Sequence, residues 1–218
     1  MSKFSPAPLL AALWLMAGPA DAAAPGVDGG TGSPPAYRTV FTDGNFEVRD
    51  YPARRLAEFS VVGDQAIAAY QGFRVFADPL FKGQASDERA TLASPVEEAP
   101  APSEQFSHYS LFNVESARVW TVSFDPPPGW APGDLGYRNA PDVRWREAPA
   151  ERMAVLRYDG RGGVWDPGLG WRDAAKQLLI EVARHHLKPA GQIRLAQYNS
   201  PLTPQVFRHY AVMVPVKD

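Results

Sequence analysis

The sequence contains no cysteine. This absence excludes disulfides, thiolate metal sites, a cysteine nucleophile and a lipoprotein anchor. Histidine is also scarce, with four in 218 residues. The chain has no Gly-x-Ser-x-Gly elbow, no Gly-Lys-Ser/Thr phosphate loop and no His-Glu-x-x-His pair. These absences favour a binding protein over an enzyme.

The sequence also has no apolar run long enough to cross a bilayer. Its longest candidate, Leu9–Ala17, has nine residues, against the roughly 20 that a spanning helix needs. Lys3 precedes this run, and the small-x-small pattern Ala20-Asp21-Ala22 follows it. The arrangement is typical of a cleaved signal peptide at residues 1–22. It predicts a periplasmic or secreted protein with no stable membrane insertion after cleavage.

Neither sign of charge dominates. The formal net charge is −2, which argues against nucleic acid as a partner, because phosphate binding needs clustered Lys and Arg. Residues 23–36 are mostly Gly, Pro, Ser, Thr and Ala and predict a flexible tether. The remainder, 37–218, has enough aromatic residues for the core of one domain.

One stretch of sequence occurs twice. Residues 46–57 are echoed by residues 143–154 at a constant offset of 97. The identical pairs are Arg49/Arg146, Pro52/Pro149, Ala53/Ala150, Arg55/Arg152 and Ala57/Ala154. A single repeat of this length is too long for a solenoid array. It predicts two similar modules, about 41–124 and 143–217, packed about a pseudo-twofold axis with a groove between them.

The hydrophobic pattern predicts similar elements in both modules. In the first, we expect strands at 46–51, 56–62 and 90–96, a helix at 65–80, an acidic loop at 97–105, and a hairpin of 106–114 with 118–124. In the second, we expect strands at 143–147, 153–158, 193–198 and 210–216 and a helix at 171–187. The predicted fold class is α+β, a distorted open β-barrel with the two main helices outside.

Several segments together resemble the SOUL/haem-binding protein family. They are Phe46–Pro52, Gly72-Phe73, Trp120–Phe124, Arg146–Pro149 with Ala154–Arg157, Tyr198–Pro204 and Val212–Val216. The resemblance covers about 41–217. It implies a twofold-symmetric distorted barrel that binds haem or another tetrapyrrole without covalent attachment and without a reaction.

The chain departs from the family pattern at several positions. The family's Met-Thr-Ala-Pro-Val corresponds to Leu92-Ala93-Ser94-Pro95-Val96. Some members are held to ligate iron through a histidine in the N-terminal half, whereas the first histidine here is His108.

Haem requires an apolar slot, a cation for its propionates and, optionally, an axial donor. Tyr70, Phe73 and Ala77 lie at helical spacing and could line such a slot, with Arg74 beside them for a propionate. The alternative is that this stripe packs on its own sheet, as amphipathic helices commonly do.

A second group of candidates precedes the last strand. His209, next to Arg208, is the candidate iron ligand, and Tyr70 is an alternative axial donor. A different functional class stays open, in which the cleft holds another apolar ligand or a partner protein, without haem.

Overall fold

The computed structural model describes residues 37–77, 91–101, 117–126, 130, 142–159 and 167–217. This part of the chain is α+β, as predicted. The strands are β1 (Arg38–Asp43), β2 (Phe46–Tyr51), β3 (Arg54–Val62), β4 (Thr91–Pro100), β5 (Val119–Phe124), β6 (Arg144–Ala148), β7 (Glu151–Asp159), β8 (Lys188–Pro189), β9 (Arg194–Asn199) and β10 (His209–Lys217). The two helices are α1 (Gln65–Ala77) and α2 (Pro167–Arg184), and a short 3-10 helix spans Gln205–Phe207.

All the strands join one antiparallel sheet in the order β1-β2-β7-β10-β9-β4-β5-β3-β6, with β8 paired to β10. Within the described ranges the end strands β1 and β6 do not pair with each other. The sheet is therefore not closed into a barrel, so that part of the predicted architecture is not confirmed.

The two echoing segments pair with the rest of the sheet in matching ways. Arg55 lies opposite Glu147 on β6, and Asp50 of β2 lies opposite Arg152, which is 97 positions after Arg55. The strand order β2-β7-β10-β9-β4-β5-β3-β6 is symmetric about its centre. When β2 is exchanged with β6, β3 with β7, β4 with β9 and β5 with β10, the same order is obtained, read from the other end. An origin of these halves by duplication stays a prediction.

The larger apolar core lies on the face of the sheet that carries both helices. Helix α1 packs chiefly on β3, β4 and β5, and α2 packs on β7, β8 and β10, so β9 lies between the two helix footprints. Asp64 caps the N-terminus of α1, because its Oδ1 accepts a hydrogen bond from the Ile67 N–H at 2.9 Å. Pro167 stands at the first position of α2, where a missing N–H costs nothing.

A smaller apolar cluster occupies the other face of the sheet. Its buried members are Tyr51, Met153, Val155, Ala196, Ala211 and Met213. The alternation of strand side chains produces this division: Phe46 and Val48 of β2 join the helix-side core, whereas Tyr51 joins the second cluster.

Several predicted boundaries were wrong. The loop expected from residue 97 is strand as far as Pro100, because β4 is paired on both sides, with β5 and β9. Strands β1 and β8 were not predicted, and α2 begins at Pro167 rather than at Trp171. The expected strand at 106–114, the signal peptide at 1–22 and the tether at 23–36 lie outside the described residues.

Among the residues described, neither helix combines the length and the apolar character that crossing a bilayer requires.

Candidate functional site

The predicted slot on α1 is not formed on its sheet-facing side. Phe73 is 2% exposed and belongs to the core, whereas Tyr70 is 44% exposed. A Cβ at Gly72 would lie 2.5 Å from Val122 Cγ1 and 2.9 Å from Val96 Cγ1. The helix therefore sits directly on β4 and β5 at this point, without room for a flat ligand between them.

The face of α1 toward the core includes Phe73 of the predicted stripe but not Tyr70. The buried positions are Ala68, Ala69, Gly72, Phe73, Val75 and Phe76. Of the predicted stripe, Phe73 faces the core, Tyr70 faces outward, and Ala77 is the last residue of the helix. The structure thus separates Tyr70 from Phe73, and whether either residue contacts a ligand stays a prediction.

Tyr70 and Arg74 form a pair on the outer side of α1. The two residues are one helical turn apart, and the Arg74 guanidinium carbon lies 5.7 Å from the centre of the Tyr70 ring. Both side chains are exposed. An aromatic face with a cation beside it is thereby presented outward.

Arg208 and His209 lie at the other candidate position, where β10 begins. The Arg208 guanidinium donates to the carbonyls of Pro201 and Thr203, both at 2.5 Å, and to the Tyr210 hydroxyl at 3.2 Å. Arg208 therefore holds the turn before β10. His209 is exposed, and its backbone N–H donates to Asn199 Oδ1 at 2.6 Å.

Sequence reasoning missed a buried acid on the helix side of the sheet. Glu98 of β4 is 1% exposed. One carboxylate oxygen accepts a hydrogen bond from Gln65 Nε2 at 2.7 Å, and the other, Oε1, has no hydrogen-bond partner among the described residues. Burial raises the pKa of Glu98 to about 8, although the Gln65 hydrogen bond opposes this.

Two tyrosines lie near this acid. The rings of Tyr158 and Tyr210 stack with centroids 5.3 Å apart and planes 17° apart. Burial raises the pKa of both phenols, and the charge of Glu98 raises both further. The signal that could have found Glu98 is the alternation of Val96 and Glu98, which places the acid on the core face once β4 is extended to Pro100.

The opposite face of the sheet carries a group of paired charges. Arg194 binds Glu151 with two hydrogen bonds, of 2.7 and 2.9 Å, and Arg54 reaches the same carboxylate at 3.1 Å. Glu97 lies 3.5 Å from Arg194 and 3.8 Å from Arg54. In the same region Arg49 is buried against Glu47 at 2.7 Å and lies over the Tyr37 ring at 4.4 Å.

One group of side chains has donor atoms close enough to share a metal ion. Oxygens of Asp43 and Glu181 and a ring nitrogen of His185 lie within 4.8 Å of one another. However, Arg184 Nη2 lies 2.5 Å from both carboxylates. The Arg184 guanidinium thus already bridges the two acids, and the group is a surface ion-pair cluster.

Comparisons with solved structures find similar proteins at low sequence identity. The C-terminal domain of EcmrR is 9% identical and has a TM-score of 0.50, with 84% of this chain and 98% of that chain covered. A conserved protein from Listeria innocua is 11% identical, with coverage of 79% and 92% and a TM-score of 0.46. A hydrolase from Listeria innocua is 12% identical, with coverage of 82% and 94% and a TM-score of 0.45. The first of these likenesses supports the overall fold described above.

A comparison with curated proteins found no match. The family model described as SOUL heme-binding protein matches residues 33–215. This match spans most of the sequence and includes both candidate positions, on α1 and at the start of β10. The chain belongs to the SOUL haem-binding protein family.

Proposed function

We propose that this protein binds haem or another tetrapyrrole non-covalently and acts as an exported carrier or sequestering protein, without catalysing a reaction. The family match over residues 33–215 is the observation that carries the proposal. Burial of an apolar macrocycle would supply most of the affinity, at about 25 cal/mol per Å² of apolar surface before ordering costs.

The residues on α1 match part of what haem requires. Because close packing at Gly72 leaves no room between α1 and the sheet, the proposed binding surface is the outer side of the helix. There the Tyr70 ring can contact the macrocycle, and the Arg74 guanidinium can pair with a propionate. Tyr70 also offers a phenol oxygen as an axial donor. His209 offers an imidazole for a haem bound at the start of β10 instead, because it shares the face of the sheet opposite the helices with Ala211 and Met213.

A hemin titration followed by absorbance tests the proposal. We expect a saturable shift of the Soret band, and its absence would overturn haem binding. Arg74→Gln should weaken binding, and His209→Ala or Tyr70→Phe should change the spectrum of the bound form if that residue ligates the iron. His186→Ala is the matched control, since His186 is another exposed histidine, at the end of α2, and its loss should leave the spectrum unchanged.

The proposed setting is outside the cytoplasm. It rests on the signal-like segment at residues 1–22. N-terminal sequencing of the protein recovered from the periplasm or the medium tests it, with a new N-terminus after Ala22 expected. Recovery of the uncleaved chain in the cytoplasmic fraction would overturn export.

The internal symmetry of the fold indicates a second position, separate from the outer side of α1. We infer a pseudo-twofold axis between β4 and β9, supported by the strand order that maps onto itself when the halves are exchanged. The groove expected along this axis then lies over β9, between α1 and α2. A second candidate function, binding of a non-haem ligand, is favoured by the unpaired carboxylate oxygen of Glu98 beside this groove.

A further inference from the structure

The environment of Glu98 is unusual for an acidic residue. It is 1% exposed, and one of its carboxylate oxygens has no donor among the described residues. A buried polar atom without a partner costs roughly 1–3 kcal/mol, and more if it is charged. A leucine on the strand would avoid that cost. A partner that brings a positive charge to this oxygen would offset that cost.

The surroundings of Glu98 define what such a partner would be. Gln65 donates to one carboxylate oxygen, which leaves the other for a ligand. The stacked rings of Tyr158 and Tyr210 supply flat apolar surface near the acid. Neither haem propionates nor other anions suit a buried carboxylate, because like charges repel each other strongly where water is excluded. A cation with an apolar body suits both the acid and the rings.

The side chains around Glu98 lie between the buried acid and the solvent. Gln65 begins α1, and a Cβ at Gly170 of α2 would lie 3.9 Å from the Tyr158 ring. The side chains near Glu98 thus lie between the two helices. Gln65, Tyr158 and Tyr210 are each partly exposed, so the residues around the buried acid extend to the protein surface.

We propose that the groove between α1 and α2 binds a lipophilic organic cation, with the Glu98 carboxylate as its counter-ion and the Tyr158 and Tyr210 rings against its apolar body. This site is distinct from the haem-binding surface proposed on the outer side of α1. When the cation binds, the O–H bond of the protonated carboxyl breaks and the proton passes to the solvent.

Charge neutralisation makes the binding depend on pH. The titratable groups near Glu98 are Tyr158 of β7 and Tyr210 of β10, with the Arg208 guanidinium hydrogen-bonded to Tyr210, while α1 contributes the uncharged Gln65. Both phenols have raised pKa values and stay neutral below pH 8. Between pH 6 and 8, Glu98 is the group that must lose a proton. The affinity for a cation should therefore rise with pH, by up to tenfold per unit.

Berberine, a planar quaternary cation whose fluorescence increases in apolar surroundings, is a suitable probe for the purified protein. Benzyltrimethylammonium, measured by calorimetry, is the smaller cation, and the anionic dye 1-anilinonaphthalene-8-sulfonate is the control of opposite charge. We expect saturable binding of at least one cation. If neither cation binds saturably, the proposal is overturned.

Glu98→Gln keeps the shape of the side chain and its hydrogen-bonding capacity but removes the charge. It should weaken cation binding at pH 8 at least tenfold and abolish its pH dependence. Glu147→Gln is the matched control, since Glu147 is exposed on β6, and it should bind as the wild type does. Equal affinities for the wild type and Glu98→Gln would overturn the role of the carboxylate.

Two further measurements separate this proposal from the others. Thermal unfolding of Glu98→Gln shows whether the variant is folded, and Tyr210→Ala is a second variant that leaves Glu98 in place. Tyr210→Ala should weaken berberine binding severalfold, and an unchanged affinity would contradict the contact with the rings. The hemin titration should give the same result for Glu98→Gln as for the wild type, so failure of haem binding and failure of cation binding are distinguishable.

Discussion

Arg54 and Glu151 stand 97 positions apart in the chain, and their side chains meet across the sheet, with Arg54 Nη2 3.1 Å from Glu151 Oε1. The same separation recurs between Glu97 and Arg194, whose charged atoms are 3.5 Å apart. The two pairs are connected to each other, because Arg194 also binds Glu151. The face of the sheet opposite the helices is thus joined by one charge network that links β3 and β4 to β7 and β9.

We expect removal of one member of this network to be costly. Arg194→Met leaves Glu151 and Glu97 largely buried without their main partner and should lower the free energy of unfolding by about 3 kcal/mol. Urea unfolding measures the effect. Arg144→Met is the matched control, because its partner Asp142 and Arg144 itself are exposed, and it should cost less than about 1 kcal/mol.

The coupling within the network can be tested separately. In a double variant, Arg194→Met with Glu151→Gln, the cost should be smaller than the sum of the two single costs, because each single change leaves an unpaired charge. Additive costs would contradict a direct interaction between the two side chains.

The charge network also shows what the sequence could establish about the fold and what it could not. The offset of 97 between Arg55 and Arg152 was visible in the sequence, and alternation placed β2, β3 and β7 correctly. The pairing that brings Arg54 to Glu151 was not visible, because strand neighbours are chosen by contacts between residues far apart in the chain.

The site was less predictable than the fold. Phe73 was correctly placed on a helix, but helical spacing alone did not decide between stripes shifted by one residue. Gly72 determines which stripe faces the core, because only a residue without a side chain allows α1 to approach Val122. Glu98 was assigned to a loop because acidic residues and Pro100 suggest one, and the pairing of β4 on both sides overrode that local preference.

Gly72 and Gly170 make a matched pair for testing this close packing. Gly72→Ala places a methyl group within 2.5 Å of Val122 Cγ1, and a β-branched neighbour has little freedom to move. Overpacking of this kind costs typically 1–3 kcal/mol, against a gain in helix propensity of about 1 kcal/mol. We expect a net loss of about 1–2 kcal/mol in urea unfolding.

Gly170→Ala should stabilise the protein, whereas Gly72→Ala should destabilise it. The nearest atom to a Cβ at this position is Tyr158 Cε2, at an ordinary contact distance of 3.9 Å. The gain in helix propensity should therefore raise the free energy of unfolding by about 0.5–1 kcal/mol. A stabilising Gly72→Ala would show that α1 does not rest on the sheet at Gly72.

The start of α1 depends on a side-chain cap. Asp64→Ala removes the acceptor for the Ile67 N–H and should lower the free energy of unfolding by about 1 kcal/mol. Asp64→Asn keeps an acceptor oxygen and should retain most of the stability. Equal losses in both variants would point to the charge of Asp64 rather than to its hydrogen bond.

The buried acid makes stability depend on pH in a definite direction. Burial raises the pKa of Glu98 from 4.5 to about 8, so between these values the folded protein retains a proton that the unfolded chain has lost. In the wild type, the contribution of Glu98 to the free energy of unfolding is fully present below pH 4.5 and falls as pH rises toward 8. Glu98→Gln does not titrate, so its free energy of unfolding relative to that of the wild type should rise with pH. The increase should approach about 1.4 kcal/mol per unit.

Taking the difference between variant and wild type matters for this measurement, because other carboxyl groups act in the opposite direction. Burial opposes ionisation of Glu151, yet its hydrogen bonds and charge interactions with Arg194 and Arg54 lower its pKa overall. That contribution is common to both proteins and cancels in the comparison. Urea unfolding of the two proteins at pH 5, 6, 7 and 8 gives the slope. A difference independent of pH would mean that Glu98 is ionised throughout this range, and the buried carboxyl would then need a cation already beside it.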